Sequence, residues 1–239
     1  MGRIVLPEID STNAEAGRRA PDLAGPTWIL ALRQTRGRGR RGRGWADPPG
    51  NFAASHFSRP EAPPSDLALR SFVAALALHD ALVRATGQPE RFTLKWPNDV
   101  LLDGGKLAGI LLESLGQGTG PRHLVIGIGV NLRHAPEGDA GALRPVSLLD
   151  ETGCALDPEA FLDLLAPCFA HRERQLATFG FAPIRTAWLT RAARLGERIT
   201  ARSMQETRTG IFEGIDTTGA LLLTTEDGPK AIPAAEVYF

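Results

Sequence analysis

Arg36-Gly37-Arg38-Gly39-Arg40-Arg41-Gly42-Arg43-Gly44-Trp45 packs five arginines and four glycines into ten residues. With Pro48, Pro49 and Gly50 just beyond, no helix or strand pattern survives from Gln34 to Gly50. The place of this stretch decides the architecture. β-prone runs flank it at 28–33 and 51–57, so it is a loop inside a domain rather than a disordered tail. Glycines let a backbone approach a ligand and expose N–H groups. Arginines supply forked donors for carboxylate and phosphate. A tryptophan offers a face on which a purine stacks. Taken alone, the segment suits RNA and a small nucleotide-like anion equally; its embedded position favours the anion.

Outward from the loop, residues 3–6 read as a strand. Asp10-Ser11-Thr12-Asn13 opens a helix, with Thr12 and Glu15 spaced as a capping box. A helix is predicted over 66–86 from Leu69, Phe72, Val73 and Leu76, stopping at Gly87. Strand pieces at 92–96 and 99–102 lie around Pro97. Asp103-Gly104-Gly105 turns 99–102 onto 106–113 as a hairpin, and 123–132 is a further strand. Helices follow at 158–179 and 182–193. After Leu195 short β runs at 198–201, 209–215, 220–224 and 230–232 alternate with Thr218-Gly219 and Asp227-Gly228 turns. The expected fold class is α+β: a mixed β-sheet with helices over 1–193, then a small β domain over 194–239.

Two further segments carry chemistry. In Lys95-Trp96-Pro97-Asn98-Asp99 and Lys106-Leu107-Ala108-Gly109-Ile110, strand parity puts Lys106 with Ala108, Ile110 and Leu112. That position suits either a stem snorkelling from the strand start or an ammonium at the mouth of an apolar pocket. In Gly127-Ile128-Gly129-Val130-Asn131 one face is apolar, while Gly127, Gly129 and Asn131 form a bare face ending in an amide. Interior strand glycines signal a close approach, a bulge or tight helix packing.

Lys+Arg 27 balances Asp+Glu 27, which argues against a dedicated nucleic-acid binder. The hydrophobic share of 43% is enough for a sizeable core. Cys154 and Cys168 form no C-x-x-C pattern, so neither a zinc site nor a disulfide framework is expected, and no metal-ligand set is assigned. With no signal peptide and no long apolar run, the expectation is a cytoplasmic protein with no membrane partner.

In this order, Ser11-Thr12-Asn13, Gln34 through Trp45, Lys95 through Asp99, Lys106 through Ile110 and Gly127 through Asn131 resemble the biotin–protein ligase family. Gly37-Arg38-Gly39-Arg40-Arg41-Gly42-Arg43 is the most specific match. Gly214-Ile215-Asp216 with Gly219-Ala220-Leu221-Leu222-Leu223 looks like that family's small SH3-like β-barrel C-terminal domain.

The resemblance implies a catalytic domain like that of class II aminoacyl-tRNA synthetases. It implies an enzyme that joins biotin to AMP using ATP and Mg²⁺, then passes the biotinyl group to a lysine of a biotin carboxyl carrier protein. Ser11, Thr12, Asn13 and Gln34 would read the ureido ring. Arg38, Gly39, Arg40 and Lys106 would hold the carboxylate and phosphate. Arg38, Arg40, Arg41, Arg43, Trp45, Asn98 and Asn131 would line the adenylate. Arg40 and Lys106 would be catalytic by neutralising charge, and Asp99 would orient or deprotonate the incoming lysine. The arginine-glycine loop would order over the adenylate.

Some relatives carry an N-terminal helix-turn-helix domain. This chain begins almost at the first matched segment, so no sequence-specific DNA binding is expected. It also ends soon after Glu236, which leaves the C-terminal domain's share in ATP binding open. A homodimer is compatible with the sequence. The rivals are a lipoate- or octanoate-transferring enzyme of the same fold and an Arg-Gly RNA-binding protein.

Overall fold

The computed structural model describes residues 1–115, 123–138, 143–203 and 206–239. Seven strands form the larger sheet: β1 (Gly2–Leu6), β2 (Thr27–Ala31), β3 (Phe52–Ser58), β4 (Phe92–Lys95), β5 (Asp99–Leu102), β6 (Gly105–Leu115) and β7 (His123–Val130). Their order is β1-β2-β3-β7-β6-β5-β4, with only β1 and β2 parallel. The 99–102/106–113 hairpin is there, closed by Asp103 (φ 49) and Gly104 (φ 78).

Period-two alternation divides the sheet into two faces. Trp28, Leu30, Phe52, Ala54, Ile126, Ile128 and Val130 point to the main core. There α3 (Arg70–Thr86), α5 (Pro158–Phe179) and α6 (Phe181–Leu189) cover them. Phe161 meets Phe52 edge-on at 5.0 Å. Each such buried side chain contributes about 1.5–3 kcal/mol. Ile29, Phe57 and Val125 point the other way, onto Ala16 of α1 (Thr12–Arg19) and its C-cap Ala20. This helix covers only one end of that face, and the remainder, floored by glycines, is the candidate site.

Several predicted boundaries shift. The N-cap of α1 is Ser11, whose hydroxyl accepts from the Ala14 N–H at 3.5 Å. The Thr12–Glu15 capping box is therefore wrong by one residue, and Glu15 instead binds Arg18 at 2.7 Å and Arg19 at 2.5 Å. The single helix over 66–86 is two, α2 (Pro64–Ala68) and α3. The Phe72 N–H bonds back to Leu69 O, a tighter i→i+3 turn that breaks the α ladder. The helix over 182–193 ends at Leu189, because Arg191 and Ala193 bond across to Leu94 on the edge strand β4. The short helix α4 (Leu148–Thr152), capped by Ser147, was not foreseen.

The second sheet joins β8 (Arg198–Arg202), β9 (Thr207–Ile215), β10 (Leu221–Thr225), β11 (Gly228–Ile232) and β12 (Glu236–Tyr238) in the order β11-β10-β9-β8-β12, all antiparallel. Strand β12 was missed by sequence reading, since three residues show no periodicity. It brings the chain's last residues to the larger sheet. Trp96 Nε1 donates to Gly219 O at 3.0 Å, tying the two sheets together.

Candidate active site

Arg40, Lys106 and Trp45 meet in one cleft of about 850 Å³, together with Ser11, Thr12, Asn13, Gln34, Arg38, Gly39, Arg43, Asn98, Asp99 and Asn131. Its size suits a small-molecule ligand. Arg41 alone of the sequence candidates lies outside the lining.

The floor is built from missing side chains. A Cβ on Gly129 would lie 2.6 Å from Trp45 Nε1, and one on Gly109 would lie 3.1 Å from Trp45 Cζ3. The indole therefore rests flat against two bare strands. A Cβ on Gly127 would lie 3.0 Å from Asn13 Cγ. Of the readings open for these glycines, close approach by side chains is the one observed.

At one end, α1 and its neighbours supply a polar network. Gln34 Oε1 accepts from the Thr12 N–H at 2.9 Å and from Thr12 Oγ1 at 3.1 Å. Ser55 Oγ lies 2.8 Å from Thr12 Oγ1 and donates to Asn13 Oδ1 at 2.5 Å. Asn13 Nδ2 donates to Glu113 at 2.7 Å, and Arg38 reaches the same carboxylate at 3.8 Å. Hydroxyls, amides and a carboxylate in one run can match a neutral ring with both donors and acceptors.

Charge gathers at the centre. Lys106 Nζ stands 2.9 Å from Asp99 Oδ1 and 5.9 Å from the Trp45 ring, while Lys95 Nζ is 3.6 Å from Asp99 Oδ2. Simple parity placed Lys106 with Ala108 and Ile110, and that is corrected. A bulge lies between the pairs Val100–Ala108 and Leu101–Lys106. It sends both Leu107 and Ala108 into the core and turns Lys106 to the glycine face. Burial lowers the pKa of Lys95 against the pull of Asp99. Burial likewise lowers that of Arg40, which donates to Asn98 Oδ1 at 3.2 Å and to Ala235 O at 3.5 Å. Asn98 Nδ2 in turn holds Ile110 O at 2.7 Å. Two lysines and an arginine around one carboxylate leave excess positive charge for an anion.

Asn131 donates from Nδ2 to Val146 O at 3.1 Å, and its buried Oδ1 has no hydrogen-bond partner. An unpaired buried acceptor costs about 1–3 kcal/mol, so this oxygen is open to a ligand donor.

Sequence reasoning missed several lining residues: Asp47, Lys95, Glu236, Val237, Tyr238 and Phe239. Glu236 pairs with Arg43, and with Arg41 at 3.7 Å. Burial alone would raise its carboxyl, but hydrogen bonds from Arg43 and Tyr238 and the charges of Arg43 and Arg41 bring it down to about 2. The end of the chain thus borders the cleft. An acidic residue in the tail opposite an arginine cluster was the available signal. Among the described residues, no group of three or more His, Cys, Asp or Glu could hold a metal ion. Both cysteines are free.

Comparison with known proteins agrees with this geometry. Residues 5–131 match the model of the biotin/lipoate A/B protein ligase family, and residues 195–239 match the biotin protein ligase C-terminal domain. A biotin–[acetyl-CoA-carboxylase] ligase of Paracoccus denitrificans is 58% identical over 98% of this chain and 99% of its own. A bifunctional ligase/repressor of Bacillus subtilis (strain 168) is 34% identical over 93% of this chain and 68% of its own. The Aquifex aeolicus biotin protein ligase, solved with biotin and ATP, superposes with a TM-score of 0.86 at 28% identity, covering 99% of this chain and 97% of that one. The chain belongs to the biotin/lipoate A/B protein ligase family, and within it to the biotin protein ligases.

Proposed function

We propose that the chain activates biotin with ATP and transfers the biotinyl group to a lysine of a biotin carboxyl carrier protein. The single observation that carries this is the set of Lys106, Arg40 and Asp99 beside Trp45 in one glycine-floored cleft. In the first half-reaction the biotin carboxylate attacks the α-phosphate of ATP, and pyrophosphate leaves. Two anions must meet, so the protein's work is alignment and charge neutralisation, which we assign to Lys106, Arg40 and Arg38.

Trp45 carries the adenine, and Asn131 Oδ1 accepts from it. Ser11, Thr12, Asn13 and Gln34 read the ureido ring, with Gly39 giving the loop backbone close access. Arg43 and Asn98 border the adenylate, and Arg41 acts through Glu236. In the second half-reaction the acceptor amine attacks the carbonyl of the anhydride and AMP leaves, with Asp99 orienting the amine or taking its proton. Mg²⁺ would arrive on the ATP phosphates and damp their charge. Asp99 Oδ1 already faces Lys106 Nζ at 2.9 Å, so the phosphates rather than this carboxylate would hold the ion.

We place the division between catalytic and C-terminal domains at 193/194. Zero net charge supports the expectation of no DNA partner. No helix among the described residues is long and apolar enough to cross a membrane, and we assign the chain to the cytoplasm. A homodimer is the assembly to test by light scattering.

Incubation with ATP, Mg²⁺, a biotin acceptor domain and either biotin or lipoate tests the reaction. A mass gain of one biotinyl group on the acceptor lysine is expected. Lipoyl transfer without biotinyl transfer would overturn it.

A further inference from the structure

Lys95 and Asp99 stand directly opposite one another in the β4–β5 ladder, so the backbone itself brings their side chains together. Lys95 Nζ lies 3.6 Å from Asp99 Oδ2, while Lys106 Nζ lies 2.9 Å from Oδ1. One carboxylate therefore meets a different ammonium at each oxygen.

The two ammonium groups are not equivalent. The Lys106 side chain is 35% exposed and belongs to a different strand, β6. The Lys95 side chain is only 11% exposed. The Phe239 ring centre lies 5.9 Å from its Nζ, and the Arg194 guanidinium lies 5.1 Å from the same ring. An ammonium withdrawn from water needs its anion close by. Lys106 can leave Oδ1 for a substrate carboxylate entering the cleft. Lys95 is enclosed and stays on Oδ2.

We propose that Lys95 is a positioning residue for the transfer step: by holding Asp99 at Oδ2 after substrate has drawn Lys106 away, it keeps Oδ1 aimed at the incoming amine. This rests on the ligase reading above and on the place given there to Asp99. Oδ1 then orients the amine or takes its proton, the nitrogen bonds to the biotinyl carbonyl, and the bond from that carbonyl to AMP breaks. Without Lys95 the Asp99 carboxylate is free to turn after Lys106, and the amine meets an oxygen set at the wrong angle.

Four proteins test this: wild type, Lys95→Met, Asp99→Asn and the double variant. Single-turnover measurements give pyrophosphate release and acceptor mass gain for each, alongside a melting curve. In Lys95→Met the ratio of transfer rate to adenylation rate should fall about tenfold, inside the roughly 10²-fold that misplacing a catalytic group can cost. Methionine keeps the length of the stem and Asp99 keeps Lys106, so the fold should survive. The double variant removes both charges of the pair. A side chain that acts only through Asp99 has nothing to act on once that carboxylate is an amide. The double variant should therefore transfer within about twofold of Asp99→Asn, rather than a further tenfold slower. Additive losses would make Lys95 an independent contact and overturn its action through Asp99. An unchanged ratio in Lys95→Met, an equal fall in both steps, or loss of the fold in both Lys95 variants would overturn it too. Transfer by Asp99→Asn at the wild-type rate would remove the group that Lys95 is said to position. Wild-type protein that fails to biotinylate the acceptor would overturn the ligase reading instead.

Discussion

Lys106 Nζ lies 2.9 Å from Asp99 Oδ1, and it reaches that position only because the bulge at Leu107 turns it off the core face. Asp99 also faces Lys95 at 3.6 Å, so one carboxylate serves two ammonium groups in a largely buried setting. Asp99→Asn leaves both cations without their anion, a change that is strongly felt away from water. If Asp99 handles the incoming amine, the variant should still form biotinyl-AMP. Transfer to the acceptor should fall by about 10²-fold, the lower range for loss of a general base. Single-turnover measurements of pyrophosphate release and acceptor mass separate the two steps. An equal fall in both would remove Asp99 from the transfer step.

Gly129→Ala tests the floor under the indole. The new methyl would stand 2.6 Å from Trp45 Nε1 and 2.7 Å from Cζ2, and a ring has no flexible end with which to yield. Trp45 must tilt away or β7 must shift. The expected outcome is an ATP KM raised about tenfold with little change for biotin, alongside roughly 1–3 kcal/mol of lost stability from overpacking. Titration of ATP and biotin separately, with a denaturation curve, checks both parts. Equal effects on the two substrates would mean that the floor is not specific to the base.

Much of this was legible in the residues, and the failures have physical causes. Alternation in 123–132 put Ile126, Ile128 and Val130 in the core and left Gly127 and Gly129 bare, as found. Lys106 was misplaced because period two cannot register a bulge, which inserts one residue without any composition signal. Strand β12 went unseen because three residues carry no period. With it went Glu236, whose partner Arg43 lies 193 residues away. Asp47 was passed over because a single acidic residue in a polar loop looks solvated until burial is known.

The contact between Glu236 and Arg43 should make loop anchoring depend on pH. The Glu236 carboxyl is held at about 2 against an ordinary value of 4.5. A depressed carboxyl contributes stability that is fully present above the unfolded value. That stability is lost as pH falls through the folded one. Trypsin cutting within residues 36–44 should therefore be faster in Glu236→Gln than in wild type at neutral pH. In melting curves, the gap between the two proteins should be constant above about pH 4.5 and close as pH falls toward 2. Arg43 is largely exposed, so added salt should narrow the gap as well. A gap that widens on acidification would contradict the assigned pairing.

Arg40 is one of the loop arginines that line the cleft. It holds Asn98 and the Ala235 carbonyl, and it is more buried than Arg41 and Arg43, the two arginines paired to Glu236. A mixed anhydride survives only where water is kept out. The loop that carries Arg40 can close over the cleft only if something inside attracts it, and the phosphate of the adenylate supplies that attraction. Arg40→Gly removes this anchor and adds backbone freedom at the same point. Biotinyl-AMP formed on the enzyme should then escape at least about tenfold faster, equivalent to about 1.4 kcal/mol of lost grip. The adenylate released into solution should label lysines of bystander proteins. Ligands should protect residues 36–44 from protease in wild type and much less in the variant. Filter-binding of radiolabelled biotinyl-AMP gives the release rate directly, and a rate equal to wild type would show that Arg40 does not hold the intermediate.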